Sequence, residues 1–549
     1  MHIPITSRLT FNCTLAPMTA IVSVTTVLGL LFSLSADVFS ADSSQQATAI
    51  ARFSEQHRVT SALSTLTAAE LIKGLEKGEL HSHAVTSGYL KRISELNRSG
   101  PALRAIIATN PKALAQASAS DARRARGLSL GPLDGIPILI KDNIETSDPI
   151  ATTAGSLALM HHVTGQDSPL VAALRKQGAV ILGKTNLSQW ANFRSSFSVS
   201  GWSSIGGQTK NPHVLDRSPC GSSSGSGVAV AAGLATLAIG TETNGSIICP
   251  ANVNGVVGFK PTLGLISQKG IIPISPSQDT AGPMAKTVFG AALLMDGMVG
   301  AAGQFTSHLT STPRLPNTTV AVMRFSQGSH PAIIERFNTA LGLLEEAGAT
   351  LVEVHNFKLA DPSLGANETL VLQTEFKATL NTYLSETPGM THVRNLKQLI
   401  EFNDANAGQE LALFGQDIFK AAQQRAGLNN EDYNRALRAL KEATGSQGID
   451  RLLAETGADV LVAPSGPIAP PRDSINGDVW PAWVGIGHMA AIAGYPHLSV
   501  PMGTVKDVPI GLSFISGKNQ DATVLAIGHQ WQQLFGGVPE PRYLPSAAL

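Results

Sequence analysis

Between residues 102 and 182 the chain alternates two textures: A-L-R-A-I-I-A (102–108), the amphipathic run 112–126, I-P-I-L-I (136–140), a second amphipathic run 169–176, and A-V-I-L (179–182). The apolar runs read as strands and the amphipathic ones as helices, so the alternation argues for an α/β domain built on one extended sheet. Upstream, T-A-A-E at Thr67 to Glu70 stands before Leu71, Ile72 and Leu75, a capping box opening a helix-period apolar face, and helical character continues to about Asn97. Downstream, no linker divides residues 130–300. Residues 360–450 change character: E-F-K-A-T-L-N-T-Y-L (375–384) and Y-N-R-A-L (433–437) read as a helical insertion. A-D-V-L-V-A-P (458–464) and Y-P-H-L-S-V-P (495–501) then return to strand pattern. The expected domain spans residues 61–545.

The bulk numbers exclude some partners. Lys+Arg and Asp+Glu both total 40 in 549 residues, so no charge excess steers the chain to nucleic acid or an acidic membrane. Charged residues make up 15%, against about 25% in an average domain. With 52 glycines and 31 prolines supplying turns, this is the composition of a large, tightly packed enzyme.

Residues 1–40 read separately. No charge occurs from Leu9 to Ala36, Arg8 precedes the run, and Ile21 to Leu34 is its most apolar part, the pattern of a secretory signal peptide with cleavage expected at 36–41. Residues 41–60 then form a flexible lead-in rich in Ser, Thr and Gln. The implied location is secreted or periplasmic; the alternative is an uncleaved membrane anchor, since the uncharged run reaches the roughly 20 residues a span requires. Cys13 would leave with the signal, so the fold has no disulfide framework. Cys220 and Cys249 can pair in an oxidising compartment if their Cα atoms come within about 7 Å, or can be two small buried side chains.

Two motifs look functional and fail on context. Gly178 to Thr185 reads G-A-V-I-L-G-K-T, a literal phosphate-loop pattern, but apolar strand formers fill the space between its glycines and a helix precedes it. Gly221 to Gly225 reads G-S-S-S-G, matching the nucleophile elbow of α/β-hydrolases with Ser223 as nucleophile and His330, His355, His488 or His497 as base. An elbow needs a buried strand before its first glycine, whereas N-P-H-V-L-D-R-S-P-C (211–220) is a polar, proline-bounded loop.

A third constellation has three parts. In G-P-L-D-G-I-P-I-L-I-K-D-N (131–143) an apolar strand delivers Lys141 at its end; burial there would lower its pKa and leave a neutral base, unless the side chain simply reaches solvent beside Asp142. S-P-C-G-S-S-S-G-S-G (218–227) is a hydroxyl-bearing turn leading into the small-residue helix V-A-V-A-A-G. G-T-E-T-N-G-S-I-I-C-P (240–250) places Ser246 after Asn244 and Gly245, both tolerant of positive φ, where successive N–H groups can converge on an oxyanion.

In this order and spacing the three parts resemble the amidase signature family. The resemblance extends over residues 60–545 and includes G-K-T-N (183–186), G-V-V-G-F-K-P-T (255–262), D-T-A-G-P-M (279–284) and Y-P-H-L-S-V-P-M-G (495–503). It implies a single large α/β domain, a mixed sheet surrounded by helices, and a Ser-cisSer-Lys catalytic set in which Lys141 is the base, Ser222 the bridging serine and Ser246 the nucleophile. Backbone N–H groups of Thr243, Asn244, Gly245 and Ser246 would hold the oxyanion, and no metal or cofactor is implied. Within the family the chain looks most similar to the peptide amidase branch, through N-F-R-S (192–195), S-P-C-G-S-S-S-G-S (218–226) and residues 375–384. This implies hydrolysis of the C-terminal amides of peptides with release of ammonia. A general aliphatic or aryl amidase is the alternative, as is a component of a tRNA-dependent amidotransferase, which the export signal opposes. Asn244 stands where relatives carry Gly or Asp, and Ile248 where many carry Arg, so an arginine beside the nucleophile plays no part here.

Overall fold

The computed structural model describes residues 63–309, 314–386 and 391–547, all within one compact unit. The signal and lead-in expected for residues 1–60 lie outside the described residues. The strands are β1 (Ile106–Thr109), β2 (Pro137–Lys141), β3 (Val180–Thr185), β4 (Trp202–Ser203), β5 (Gly207–Gln208), β6 (Leu237–Glu242), β7 (Val257–Lys260), β8 (Thr280–Ala285), β9 (Thr319–Met323), β10 (Thr350–Val354), β11 (Val460–Pro464), β12 (His497–Val505) and β13 (Val508–Ile515). β4 and β5 form a small hairpin; the other eleven make one sheet in the order β1-β3-β2-β6-β8-β7-β12-β13-β11-β9-β10. The expected α/β class and mixed, helix-covered sheet are borne out.

The pairing explains the apolar runs. β3, β2 and β6 are mutually parallel, joined by the helix Pro169–Lys176 between β2 and β3 and the helix Ser224–Ala231 before β6. Parallel strands covered on both faces have no solvent side, so their sequences are apolar throughout, and every residue of β2, β3 and β6 is buried. β6, β8, β7, β12, β13 and β11 then pair antiparallel, and β11, β9 and β10 are again parallel. Because β2 and β6 run parallel, with Ile140 opposite Ile239, their carboxyl ends emerge at the same edge, where open α/β sheets place their sites.

The capping box forms as read: the Thr67 hydroxyl accepts from Glu70 N–H, and the Glu70 carboxylate accepts from Thr67 N–H. Asn97 is a buried strut, its amide donating to Ile106 O and accepting from Ile106 N–H, both at 2.9 Å.

Between β10 and β11 every regular element of the described residues is helical, from Leu364–Glu386 to Asp450–Thr456. An apolar cluster of Phe376, Leu380, Leu399 and Phe419 with Trp190, Ile272 and Ile274 docks this region on the sheet loops. Around the apolar contact runs a polar seam. Glu410 accepts from Ser156, Gln189 and Ser204 and pairs with Arg194; Asp417 accepts from Ser195 and Ser196; Glu375 accepts from Ser275 and Ser277 N–H.

Candidate active site

Lys141, the last residue of β2, is fully buried. Its Nζ lies 2.7 Å from Ser222 Oγ, 3.0 Å from Ser223 Oγ, 2.9 Å from Thr241 Oγ1 and 3.2 Å from Thr241 O. The strand thus feeds the amine into a shell of oxygens rather than into solvent. Burial pushes its pKa down to about 7, against the opposing pull of the Glu242 and Asp279 carboxylates. Near neutral pH a substantial share of Lys141 is the free amine.

Ser222 follows a cis peptide bond with Gly221. A Cβ at position 221 would sit 2.1 Å from Ser188 Oγ, so only glycine lets the loop approach that hydroxyl. The next serine, Ser223, is committed to structure: fully buried, its hydroxyl donates to Thr241 O at 3.0 Å and accepts from Thr241 N–H at 3.1 Å.

Ser246 lies in the turn between β6 and the helix Ile248–Asn254 and is 8% exposed. Gly245 carries the positive φ, 81°; Asn244 does not, and its amide instead reaches Glu368 of the helical region at 2.7 Å. Of the two residues that tolerate positive φ, only Gly245 uses it. The structure joins Lys141 to Ser222 directly but ties Ser246 in through backbone, Ser223 N–H donating to Ser246 O at 3.1 Å. Among the described residues the N–H groups of Thr243, Asn244, Gly245 and Ser246 donate to no intramolecular acceptor.

Cys220 and Cys249 form a disulfide, Cα atoms 5.9 Å apart, which binds the residues just before Ser222 to those just after Ser246. Ile248, where many relatives carry Arg, is buried; its side chain faces a cavity and its N–H donates to Glu242.

Sequence reasoning missed two acids that shape this turn. Glu242 Oε2 accepts from the N–H groups of Ile247 at 2.7 Å and Ile248 at 3.0 Å, fixing the chain just past Ser246. Asp279 accepts from Thr243 Oγ1 and from the N–H groups of Ile274 and Ser275; burial raises its pKa to about 6. A carboxylate four residues before Ser246 in G-T-E-T-N-G-S was the available signal for the first.

Two cavities flank the site. One, of about 30 Å³, is bounded by Asn143, Ser222, Thr241, Thr243 and Ile272, and holds little more than one or two water-sized molecules. The other, of about 470 Å³, is walled by Gly221, Asn244, Gly245 and Ile248 on one side and Trp480 and Trp483 on the other. A third cavity of about 520 Å³, lined by Thr67, Lys286 and Gln532, shares no residue with the site.

Neither rejected motif assembles a site. Lys184 of the phosphate-loop pattern is a buried strand residue that donates to Ile144 O at 2.6 Å and Thr152 Oγ1 at 2.7 Å and stands 3.7 Å from Asp142. No histidine of the described residues hydrogen-bonds Ser223: His330 caps a helix, His355 lies beside Glu353, and His497 pairs with Ser513.

Known proteins share this fold. The amidase family matches residues 84–525. The native peptide amidase from Stenotrophomonas maltophilia superposes with a TM-score of 0.81 at 42% sequence identity, covering 87% of this chain and 99% of that one. An Arabidopsis thaliana protein described as a probable amidase is 36% identical over 472 residues, 83% of this chain and 87% of its own. A glutamyl-tRNA(Gln) amidotransferase chain from Halorhodospira halophila is 32% identical over 498 residues, 85% of this chain and 97% of its own. Fold, family match and relatives agree: the chain belongs to the amidase signature family and is an amide-hydrolysing enzyme.

Proposed function

We propose that the protein hydrolyses the C-terminal carboxamide of peptides, with Ser246 as nucleophile, Ser222 as proton bridge and Lys141 as base. The observation that carries the reading is the buried Lys141 amine, held near neutrality at about 7 and 2.7 Å from Ser222 Oγ. An unactivated serine hydroxyl is a weak nucleophile and needs such a base. In the first step Ser246 Oγ bonds to the amide carbon while its proton passes to Ser222 and that of Ser222 to Lys141. The carbonyl oxygen becomes an oxyanion facing the undonated N–H groups of 243–246; one essential donor of this kind is worth roughly 3–4 kcal/mol. Lys141 returns the proton through Ser222 to the leaving nitrogen, the C–N bond breaks, and ammonia departs. Water then attacks the acyl-enzyme by the same route, giving a free peptide acid and restoring Ser246.

The substrate class is supported by the likeness to peptide amidase and by the unequal cavities. The larger suits an acyl chain, and the smaller suits a leaving group no bigger than ammonia, which would exclude a following residue by steric clash. The test is mass spectrometry of an amidated peptide incubated with the enzyme. The expected result is a gain of about one mass unit with no fragments, ammonia release being the replacement of NH₂ by OH; internal cleavage, or turnover of small aliphatic and aryl amides alone, would point to a general amidase.

Export from the cytoplasm belongs to the same proposal. It is supported by the uncharged run from Leu9 to Ala36 and by the Cys220–Cys249 disulfide, a bond that oxidising compartments favour. Among the described residues no helix is long and apolar enough to cross a membrane. Cell fractionation with N-terminal sequencing of the mature protein tests export, and full-length protein in the cytoplasm would refute it.

A further inference from the structure

The larger cavity beside Ser246 has an uneven chemistry. Glu242 and Asp478 line it, and no lysine or arginine does. Its two histidines carry no compensating charge at neutral pH: burial lowers the pKa of His488, and burial together with Lys260 drives that of His497 to about 3. Glu242 is already engaged, bonded to the N–H groups of Ile247 and Ile248 and attracted by Lys141 and Lys260. Asp478 differs. The residue is exposed at the surface while burial of its carboxyl end raises its pKa against the lowering by hydrogen bonds from Ser200 N–H, Ser200 Oγ and Trp480, and it has no ion-pair partner among the described residues.

The tryptophans beside it complete the pattern. Trp480 and Trp483 pack edge to face with ring centroids 5.6 Å apart, and both line the same cavity. An unpaired carboxylate next to two indole rings favours a cation: the carboxylate attracts its charge, and the rings offer their negative faces. Ser200 and Trp480 hold Asp478 in place, so the pair of attractions is preorganised.

We infer that Asp478, Trp480 and Trp483 select acyl groups carrying a cationic group, either a basic side chain near the scissile amide or the α-ammonium of an amino-acid amide, and disfavour acidic ones. The inference rests on the peptide-amide reading above.

The test compares kcat/KM for N-acetyl-arginine amide, N-acetyl-leucine amide, N-acetyl-glutamate amide and leucine amide with its free amine. The N-acetyl-arginine arm reports the side chain and the free-amine arm reports the α-ammonium. At least one cationic substrate is expected to exceed N-acetyl-leucine amide by roughly tenfold, with the glutamate amide lowest, the size of effect that one partly solvated ion pair with cation–π support gives. In Asp478→Asn that ratio should collapse toward one. In the wild type it should shrink several-fold between about 0.05 M and about 0.5 M salt, a readout independent of how the variant folds. Equal rates across all charges, or a preference that survives both Asp478→Asn and high salt, would overturn the inference. Failure of every amide would instead sink the underlying amidase chemistry, and this selection with it.

Discussion

Ser223 and Thr241 form a reciprocal pair, the serine hydroxyl donating to the threonine carbonyl at 3.0 Å and accepting from its N–H at 3.1 Å, both inside the core. A serine so engaged is a structural clamp between the loop of Ser222 and the end of β6. Ser223→Ala should lower stability by about 1–3 kcal/mol, because two buried backbone groups and the Lys141 amine each lose a partner, yet keep covalent labelling by a serine-reactive probe. Ser246→Ala should do the reverse, leaving the fold and abolishing the label. Mass analysis of labelled protein from each variant checks both; a label lost with Ser223 instead would restore the α/β-hydrolase reading.

Lys141 sets a pH dependence whose sign is fixed by its role. The base is the deprotonated amine, and its pKa is lowered to about 7, so kcat/KM should be small below that value and rise through it to a plateau. Lys141→Ala should cost about 10²–10⁴-fold in turnover at neutral pH, with the residual rate climbing as hydroxide replaces the base. Wild-type rates in that variant at pH 7 would exclude a lysine base.

The disulfide closes a loop between positions 29 apart. Replacing both Cys220 and Cys249 by Ala should lower unfolding free energy by about 3–4 kcal/mol through released chain entropy. Turnover should fall as well, since the bond links the segments of Ser222 and Ser246. Urea titration and initial rates on the same preparation measure the two effects; an unchanged denaturation midpoint would show that the bond is dispensable.

Glu410 is fully buried, 3.6 Å from the Arg194 guanidinium, which also lies over the Phe414 ring at 4.2 Å. Glu410→Ala leaves that guanidinium buried without its counter-charge, and about 3–5 kcal/mol of destabilisation is expected from breaking such a pair on one side. A variant within about 0.5 kcal/mol of wild type by urea denaturation, the range of ordinary surface changes, would show that Arg194 is otherwise neutralised.

The strands β2 and β3 were legible because burial on both faces leaves an unbroken apolar run; the end of β2 placed Lys141 but left its burial open, and its role came from the family resemblance. The helix start at Thr67 carried local cap chemistry. The acids Glu242 and Asp279 were harder to see, because a carboxylate that holds backbone N–H groups looks in sequence like any other. Glu410 and Glu375 were invisible for another reason: their partners Ser156 and Ser275 lie 254 and 100 positions away, and no local pattern encodes such a pair. Asp478 sits in a turn-rich stretch, D-S-I-N-G-D-V-W, that reads as loop until the fold brings Ser200 beneath it.

The seam between the helical region and the sheet is knit from both sides. From the helical side Glu368, Glu375, Glu410 and Asp417 accept from Asn244, Ser275, Arg194 and Ser195, while Tyr383, Thr391 and Lys441 donate the other way, to Glu145, Ala158 O and Ser277 O. Neither side is self-sufficient: trimming the helices would strand a buried guanidinium, and transplanting them would strand buried carboxylates. The two surfaces are therefore bound to change together over evolutionary time. A chimera that exchanges this region between relatives would have to carry both banks of the seam, with residues 194–196 and 275–277 travelling alongside the helices they receive.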